Sequence, residues 1–482
     1  MKIIIVGGGI AGLSTYLHLR KHLPNHTVTV YESHKPRSTA RDTSSPERPN
    51  QSVSLDILST STALVGGGLS ISPNGMRVLR DLSLDLHDRV VAQGFPADNF
   101  VFKGANGWLL GMHSSSDKSV RDKSDAEEVC VASSRYGLWN TIRQYVIEKY
   151  REGVIRHRKV TKIERDAQKP TLRLRVHAIN EMGQEEVDYA DMVIGADGVK
   201  SVVRRAIFGD DDGFHPVYNG QSEVGGFLNT TIPPFVAEKR ALVFTFGGNG
   251  SFGYSSSAPV SEKQLMWWST FQTSTLPDSR DIDPRTIKDS LFERHQHWKD
   301  PVVQEIIRNA DVQSIYPTWI MPELPYWGKQ GMVLVGDAAH AMDPKTGQGA
   351  SLALEDSLTL VLSLAEMPDV ERHGSASERW VIDEAIELFY KVRSPRVKKI
   401  VERGKKTAGS KTSVGVVAEY TMYCILWLLM RFPSLRKIMV GDTNRELYCW
   451  SAKHEIQEAL KTDDSQSQIV TSASELSPLL PS

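Results

Sequence analysis

The sequence predicts an α/β protein in which a Rossmann-like unit carries an inserted, mostly antiparallel sheet and ends in C-terminal helices. The chain opens with an apolar strand, glycines and a helical pattern, "MKIIIVGGGIAGLSTYLHL". Residues from about 215 to 320 are rich in Gly, Thr and aromatic residues with period-two stretches, and a second strand–turn–helix pattern begins at Val333. Strands that alternate with helices favour a parallel sheet, whereas period-two stretches favour an antiparallel one.

The composition limits the classes of function. With 482 residues and 40% hydrophobic content, the chain can bury a sizeable core in two packed units. A formal net charge of -1 gives no overall attraction to nucleic acid, so we expect no nucleic-acid partner. Cys130, Cys424 and Cys449 lie far apart, which predicts neither a disulfide framework nor a metal site. Reduced thiols and the absence of a signal-peptide pattern favour a cytoplasmic location.

One apolar stretch, Val414 to Phe432, bears on the membrane. Its uninterrupted part, Met422 to Met430, is too short to span a bilayer, so we expect a buried C-terminal helix. The alternative is peripheral association, with a helix that dips into a membrane surface.

The N-terminal motif predicts a dinucleotide site. Gly7, Gly9 and Gly12 form a GxGxxG pattern between a strand and a helix, and Glu32 ends the following strand. Gly7 allows the tight turn, Gly9 lets the backbone approach a pyrophosphate, and Gly12 lets helix and strand pack closely. A carboxylate at the position of Glu32 can accept hydrogen bonds from ribose hydroxyls.

A second match to the same pattern, "GNGSFG" at Gly248 to Gly253, has no helix after it and predicts a hairpin turn. We therefore expect one nucleotide-binding unit. A second dinucleotide would bind transiently.

Two later strands end in aspartate. Asp197 follows "DMVIGA", and Asp337 follows "VLVG" before a bend from Pro344 to Ala350. At the carboxyl end of a strand an aspartate can bind hydroxyls of a ligand that lies across the sheet edge. The helix after the bend directs its positive dipole end at the same ligand. For either stretch alone, an Asp-Gly turn or a helix cap is the alternative.

Together these motifs resemble the group A flavoprotein aromatic hydroxylases, the family of para-hydroxybenzoate hydroxylase and salicylate hydroxylase. The matching stretches are the N-terminal motif with Glu32, "GGGLSISPNG", "SSRYGL", "GADGVKSVVR" and "GDAAHAMDPKTGQGASLALED". The resemblance implies bound FAD, with NAD(P)H, and NADPH in particular, as the reductant. The implied FAD-binding residues are Gly7, Gly9, Gly12, Glu32, Gly67, Arg135, Asp197, Asp337, Pro344, Gly347, Gly349 and Ala350.

The resemblance also implies a reaction. NAD(P)H reduces FAD, O2 forms a C4a-hydroperoxyflavin, and one oxygen atom passes to an aromatic or polyketide-like small molecule, as in secondary metabolism. An epoxidase or other oxidase of an isoprenoid or alkaloid is the alternative, and a flavin-binding protein without catalysis is a third reading. The protein's part is positioning, exclusion of water and a base for the phenol proton.

The substrate region departs from the salicylate hydroxylase pattern. In "YNGQSEVGGF", Gly225 stands where many such members have an arginine. A small anionic benzoate becomes a less favoured substrate than a larger neutral one. The polar candidates for the substrate pocket are His215, Tyr218, Tyr254 and Glu223, and the first three are the catalytic candidates.

The domain prediction divides the chain as follows. Two polar stretches, His34 to about Thr62 and His113 to Glu128, predict surface loops. The FAD-binding domain is expected to comprise 1–75, 130–210 and 325–370; the substrate domain 76–129 and 211–324; a helical region 371–461; and a disordered tail 462–482.

Overall fold

The computed structural model describes residues 1–34, 67–118, 126–166, 173–273, 276, 283–312, 315–367, 375–407 and 414–462. The predicted loop after His34 and the predicted C-terminal tail lie almost wholly outside the described residues.

Three sheets organise the described strands. The strands are β1 Lys2–Val6, β2 Thr27–Glu32, β3 Gly68–Ile71, β4 Phe95–Ala97, β5 Asn99–Gly104, β6 Leu109–Ser114, β7 Cys130–Ser134, β8 Ile155–Arg165, β9 Leu174–Asn180, β10 Glu185–Ala190, β11 Met192–Gly195, β12 Val217–Asn229, β13 Ala241–Gly247, β14 Gly250–Ser256, β15 Gln264–Gln272, β16 Tyr316–Ile320, β17 Gly328–Lys329 and β18 Met332–Leu334.

The helices cover the sheets and form the C-terminal part of the described chain. They are α1 Ile10–His22, α2 Pro73–Leu82, α3 Leu84–Gln93, α4 Arg135–Tyr150, α5 Val202–Phe208, α6 Pro234–Lys239, α7 Pro284–His295, α8 Pro301–Asn309, α9 Asp337–His340, α10 Gly349–Ala365, α11 Ser375–Thr407, α12 Val416–Arg431, α13 Pro433–Val440 and α14 Thr443–Tyr448. Helical residues also run from 452 to 462.

The first sheet carries the predicted Rossmann-like unit. Its eight strands run in the order β10-β9-β8-β2-β1-β11-β18-β17. The strands from β8 to β18 pair in parallel. Ile3, Ile4 and Ile5 on β1 are fully buried, because helices cover both faces of a parallel sheet. The α/β fold class is confirmed.

The second sheet is the predicted antiparallel insertion. Its seven strands run β16-β12-β15-β14-β13-β5-β6, and all pairs are antiparallel except β13 with β5. The "GNGSFG" stretch is confirmed as a hairpin, since Gly247 pairs with Gly250 across the turn between β13 and β14. Helices α7 and α8 interrupt the predicted run of strands and cover one face of the sheet. The loop expected from His113 starts after Ser114, because β6 continues to that residue.

A small third sheet, in the order β3-β7-β4, lies between the two larger ones. Gly68 at the start of β3 lies against Met266 of β15: a Cβ at Gly68 would stand 2.7 Å from the Met266 Sδ. This close approach joins the third sheet to the second sheet.

The expected burial of the C-terminal apolar helix is wrong. In α12 only Tyr423 is fully buried. None of the described helices has the length and apolar character needed to cross a bilayer.

Candidate functional site

The glycine loop after β1 is packed so closely that a side chain at Gly7 or Gly12 would clash with the backbone. Gly7 has φ +103°, and a Cβ there would stand 2.3 Å from the carbonyl oxygen of Ala196. A Cβ at Gly12 would stand 1.9 Å from the carbonyl oxygen of Gly7. Helix α1 begins at Ile10 after Gly9, so its free N-terminal amides face the end of the sheet. This arrangement suits a pyrophosphate.

Glu32 lies beside that loop at the end of β2. Its Oε2 accepts a hydrogen bond of 2.7 Å from the Gly8 amide, and its Oε1 accepts one of 2.8 Å from the His34 amide. Burial by itself raises the pKa of Glu32, but the hydrogen bonds from His34 and Gly8 outweigh it and lower the pKa below its ordinary value. The carboxylate is therefore ionised and can still accept from a ribose hydroxyl.

Gly67 and Arg135, two of the predicted FAD-binding residues, lie next to each other. The Arg135 amide donates a 2.9 Å hydrogen bond to the carbonyl oxygen of Gly67. Arg135 begins α4 directly after β7, and its side chain is exposed. The guanidinium is free to extend toward the space between the two domains.

Asp337 is the exposed residue in an otherwise buried segment from Gly331 to His340. Its position depends on a buried network beneath it. The Gly336 amide donates to the Asp356 Oδ2 over 2.8 Å, and the His340 Nε2 lies 2.6 Å from the same oxygen. Burial alone raises the pKa of Asp356, but the charges of His340 and Arg393 and its hydrogen bonds lower the pKa to about 2.

Arg393 completes this network, and sequence reasoning missed it. It is fully buried, donates from Nε to the Asp356 Oδ1 over 2.8 Å and from Nη1 to the Glu355 Oε2 over 2.6 Å, and stacks on Trp450. In the sequence it is one basic residue of a polar helix. No local pattern separates it from the exposed arginines around it.

The glycines of the predicted bend are not covered by other described residues. Pro344–Thr346 form a 3-10 turn, and Gly347 follows with φ +61°. A Cβ at Gly347 or Gly349 would meet nothing within 4 Å among the described residues. Helix α10 begins at Gly349, one residue before the predicted start at Ala350. The bend can therefore lie flat against a ring.

Gln348 and Asn74 fix the back of this bend. The Asn74 Nδ2 donates to the Gln348 Oε1 over 3.1 Å, and the Gln348 Nε2 donates to the Ser72 Oγ over 3.0 Å. The start of α2 and the start of α10 are thus joined by buried side chains.

Asp197 uses its carboxylate within its own loop. Ser201 Oγ donates to its Oδ1 over 2.6 Å, and the Val202 amide donates to its Oδ2 over 2.7 Å. Burial raises the pKa of Asp197, and these hydrogen bonds oppose the shift. The residue stabilises the turn into α5, and its contact with the cofactor stays a prediction.

The three catalytic candidates are dispersed: Tyr218 and Tyr254 lie on strands of the second sheet, and His215 precedes β12. Tyr254 is buried under α8, with its hydroxyl donating to the Asp300 Oδ2 over 2.8 Å. The Tyr218 hydroxyl lies 3.0 Å from the Ser222 Oγ at the edge next to β16. His215 is partly exposed, with its Nδ1 4.0 Å from the Asp212 carboxylate. Their catalytic roles stay predictions, and the bonded position of Tyr254 does not favour one.

Glu223 is the polar candidate that lies close to the cofactor loops. Burial raises its pKa to about 7, with the Arg135 charge lowering the pKa and the Asp343 charge raising it. Asp343 belongs to the predicted bend, and its Oδ2 accepts a 3.2 Å hydrogen bond from the Asn219 Nδ2 of β12. The Glu223 side chain is partly accessible and lies near Arg135 of α4 and Asp343 of the bend. A carboxyl group with this pKa can exchange a proton at neutral pH.

An aromatic row extends from the neighbourhood of Glu223 across the same face of the sheet. Register pairs Glu223 with Thr270, and the side chains two residues along, at Gly225 and Trp268, therefore share its face. Trp268 meets Phe244 edge-on at 5.7 Å, and Phe244 stacks on Phe102 at 5.8 Å. These rings are only partly buried.

Glycine at position 225 has a packing reason. A Cβ at Gly225 would stand 2.8 Å from the Trp267 carbonyl oxygen and 3.3 Å from the Trp268 Cβ. The neighbouring strand β15 therefore leaves little space for a side chain at this position.

Comparison with known proteins decides the family. A family model described as an FAD binding domain matches residues 52–402. The chain belongs to this FAD-binding family. A second model, for an NAD(P)-binding Rossmann-like domain, matches residues 5–55. The resemblance to the flavoprotein hydroxylases inferred from the motifs is confirmed.

Relatives of this FAD-binding protein are distant. Zeaxanthin epoxidase from Spinacia oleracea is 26% identical over 367 residues, covering 76% of this chain and 47% of the relative. The chain thus spans about half the length of the zeaxanthin epoxidases it matches. The 3-amino-4-hydroxybenzoate 2-monooxygenase PtmB3 from Streptomyces platensis is 24% identical, covering 84% of this chain and 87% of the relative.

Solved structures share the fold of this FAD-binding protein. Klebsiella pneumoniae HpxO, complexed with FAD and uric acid, has TM-score 0.67 at 19% identity, covering 93% of this chain and 97% of that one. A salicylate hydroxylase substrate complex has TM-score 0.64 at 16% identity, covering 95% and 98%.

The residues described above fit FAD. The backbone-lined glycine loop suits the pyrophosphate, Glu32 is ionised beside it, and Asp337 stands exposed at a strand end. The open side of the bend at Gly347 and Gly349 leaves space for a flat ring. FAD is the resident cofactor, and NAD(P)H is the second dinucleotide.

Proposed function

We propose that this protein is a monooxygenase that uses NAD(P)H, with NADPH preferred, and O2 to hydroxylate an aromatic or polyketide-like small molecule of secondary metabolism. The observation that carries the proposal is the place of Glu223 on β12, where it is partly accessible and close enough to Arg135 and to Asp343 of the bend for both charges to act on its pKa. FAD, when bound, supplies the oxygen chemistry, and the protein supplies the geometry and the proton handling.

Glu223 and the aromatic row beside it each have a role in this proposal. The carboxylate of Glu223 accepts the phenol proton, which makes the ring electron-rich at the moment of oxygen transfer. The row from Trp268 to Phe102 binds the apolar part of a large substrate. We expect the bound substrate and the loops around it to exclude water, which protects a reactive oxygen donor from decay.

Gly225 supports a neutral substrate. Gly225 carries no cation that could anchor a carboxylate, and the neighbouring strand β15 leaves little space for a side chain there. We expect lipophilic phenols to be accepted and small benzoates to be poor substrates.

An epoxidase of an isoprenoid is the second candidate. The length of the aromatic row and the relation to proteins named zeaxanthin epoxidase favour it. Oxygen addition to an alkene removes no substrate proton, so an epoxidase has no need of Glu223 as a base.

The test is turnover with defined substrates. FAD-loaded protein is mixed with NADPH in air and with either lipophilic phenols, small benzoates or polyenes. Stimulated NADPH oxidation with a phenol product heavier by one oxygen supports hydroxylation, and the same gain on a polyene supports epoxidation. NADPH oxidation that no substrate stimulates, with hydrogen peroxide as the sole product across the panel, would contradict both.

A further inference from the structure

Helix α12 is apolar on two opposite faces. Its inner face packs on the second sheet: a Cβ at Gly111 of β6 would stand 2.3 Å from the Met430 Cβ. Tyr423, on the same face, donates to the Phe246 carbonyl oxygen over 2.7 Å. The outer face carries Val417, Tyr420 and Leu428, all exposed. A helix that is apolar all round is normally covered on every side.

The exposed face continues along α13. Leu435, Ile438 and Met439 are exposed and lie at i, i+3 and i+4, so they share one side of that helix. Val417 and Ile438 are each 83% exposed. We call the exposed apolar side chains of α12, of α13 and of Phe432 between them the C-terminal apolar patch.

The patch concentrates the exposed apolar surface of the described chain. Of the 22 large apolar side chains exposed among the described residues, ten belong to it. Scattered exposed apolar residues need no explanation, but a contiguous patch marks a binding surface. Trp108 of the β5–β6 turn enlarges it by meeting Tyr420 edge-on at 5.5 Å.

The charged residues around the patch indicate which kind of partner it binds. Arg431, Arg436 and Lys437 lie at the junction of the two helices, and Lys437 also pairs with Asp442 over 2.8 Å. The acidic residue within residues 416–440, Glu419, turns inward and bonds with the Tyr423 hydroxyl. An apolar face with Trp and Tyr, edged by cations, is the pattern of a helix that lies in the interface of an anionic bilayer.

The dimensions agree with a helix in the membrane plane. With 16 residues, α12 is roughly 24 Å long, shorter than the roughly 30 Å hydrocarbon core of a bilayer.

We propose that the C-terminal apolar patch docks the protein onto the surface of an anionic phospholipid membrane. Val417 and Ile438 enter the acyl boundary, and Arg431 and Lys437 contact the headgroups. This docking does not depend on the proposed reaction.

The experiment measures sedimentation of the FAD-loaded full chain with vesicles of phosphatidylcholine, with or without phosphatidylserine. We expect sedimentation with the anionic vesicles. The double variant Val417→Ser/Ile438→Ser should stay in the supernatant, whereas Met182→Ser, which removes a side chain 81% exposed elsewhere, should bind as the parent does. Arg431→Gln/Lys437→Gln should weaken binding about 30-fold, since each cation near an anionic surface contributes about 1 kcal/mol.

Flavin absorbance verifies that each variant is folded. Binding that is equal for all variants, or no binding to any vesicle, overturns the proposal. So does a dimer that Val417→Ser/Ile438→Ser converts to monomer without vesicle binding, because a second copy then covers the patch. Binding that appears only after residues 463–482 are removed also overturns it, because the tail is then the occupant.

Discussion

Glu223 illustrates how far the surroundings determine the chemistry of one residue. On β12 it is one polar side chain among several, but the fold places it near Arg135 and Asp343, and both charges act on its pKa. Burial is the largest cause of the rise to about 7. A carboxyl group in water titrates near 4.3. The same residue type therefore changes from a permanent anion to a group that titrates at neutral pH.

Substitution of Glu223 tests the proton role. If Glu223 accepts the substrate proton, kcat/KM of the parent falls tenfold per pH unit below about pH 7. Glu223→Gln should lower kcat/KM for phenols by about 100-fold or more and remove this acidic limb. Glu262→Gln, at an exposed turn of the same sheet, is the control. A variant that keeps the parent's pH profile would show that Glu223 is not the base.

The same pKa predicts an effect on stability. The unfolded state releases this proton near pH 4.3, whereas the folded state holds it to about pH 7. Stability is therefore greatest below pH 4.3 with respect to this group, and it declines as pH rises to about 7. Glu223→Gln should raise the melting temperature at pH 8 relative to the parent and leave it nearly unchanged at pH 4. Scanning calorimetry at both pH values measures this difference.

At the scale of elements, α11 holds α10 and the strand-end loop in place through Arg393. Its guanidinium joins Glu355 and Asp356, and Asp356 in turn fixes Gly336 next to the exposed Asp337. A buried ion pair adds little over an apolar packing, but removal of one partner leaves an uncompensated buried charge. The network therefore positions the cofactor loop more than it stabilises the chain.

We expect Arg393→Ala to lower the free energy of unfolding by about 3–5 kcal/mol at pH 7. FAD should also bind more weakly, because the loop at Asp337 loses its support. Denaturant unfolding and flavin titration of the apoprotein measure the two effects. The control is Arg89→Ala, whose guanidinium pairs with Asp85 and Glu148 on the surface and should alter neither value appreciably.

The contribution of the Arg393–Asp356 network to stability depends on pH in acid solution. Asp356 titrates at about 2 in the fold and near 3.9 when unfolded. Its contribution is present above pH 3.9 and disappears as pH falls through about 2. In Arg393→Ala, the free energy of unfolding should therefore depend less steeply on pH between about 2 and 3.9. An unchanged acid transition would contradict the network.

At the scale of the whole molecule, one parallel sheet carries the nucleotide loops and one antiparallel sheet faces it. Among the described residues, the glycine loop after β1 is followed by a parallel βαβ unit, whereas the second glycine pattern is a hairpin. The described residues thus contain one glycine loop built for a dinucleotide, and we expect a second dinucleotide to bind transiently.

We predict one FAD and no retained nicotinamide per purified chain. Chromatography of the supernatant after heat denaturation measures both. Gly12→Ala should abolish FAD retention, because its Cβ would stand 1.9 Å from the Gly7 carbonyl oxygen. Retention of one NADPH per chain by the purified parent protein would contradict the prediction of a single dinucleotide site.

The sequence by itself determined the fold class, the glycine loop, Glu32 at its strand end and the single nucleotide unit. These features are local: a strand, a turn and a helix impose their periodicity and their glycines within about 30 residues of chain. The hairpin at Gly248 was predictable for the same reason, since no helical period follows it.

Only the tertiary structure decided what lies between the elements. It placed Glu223 beside Arg135 and Asp343, put Tyr254 under α8, joined Arg393 to Asp356 and left the outer face of α12 exposed. Each of these depends on contacts between residues far apart in the chain, where burial and opposing charges set the chemistry. Periodicity can show that a helix or strand is apolar, but which face is covered depends on what packs against it.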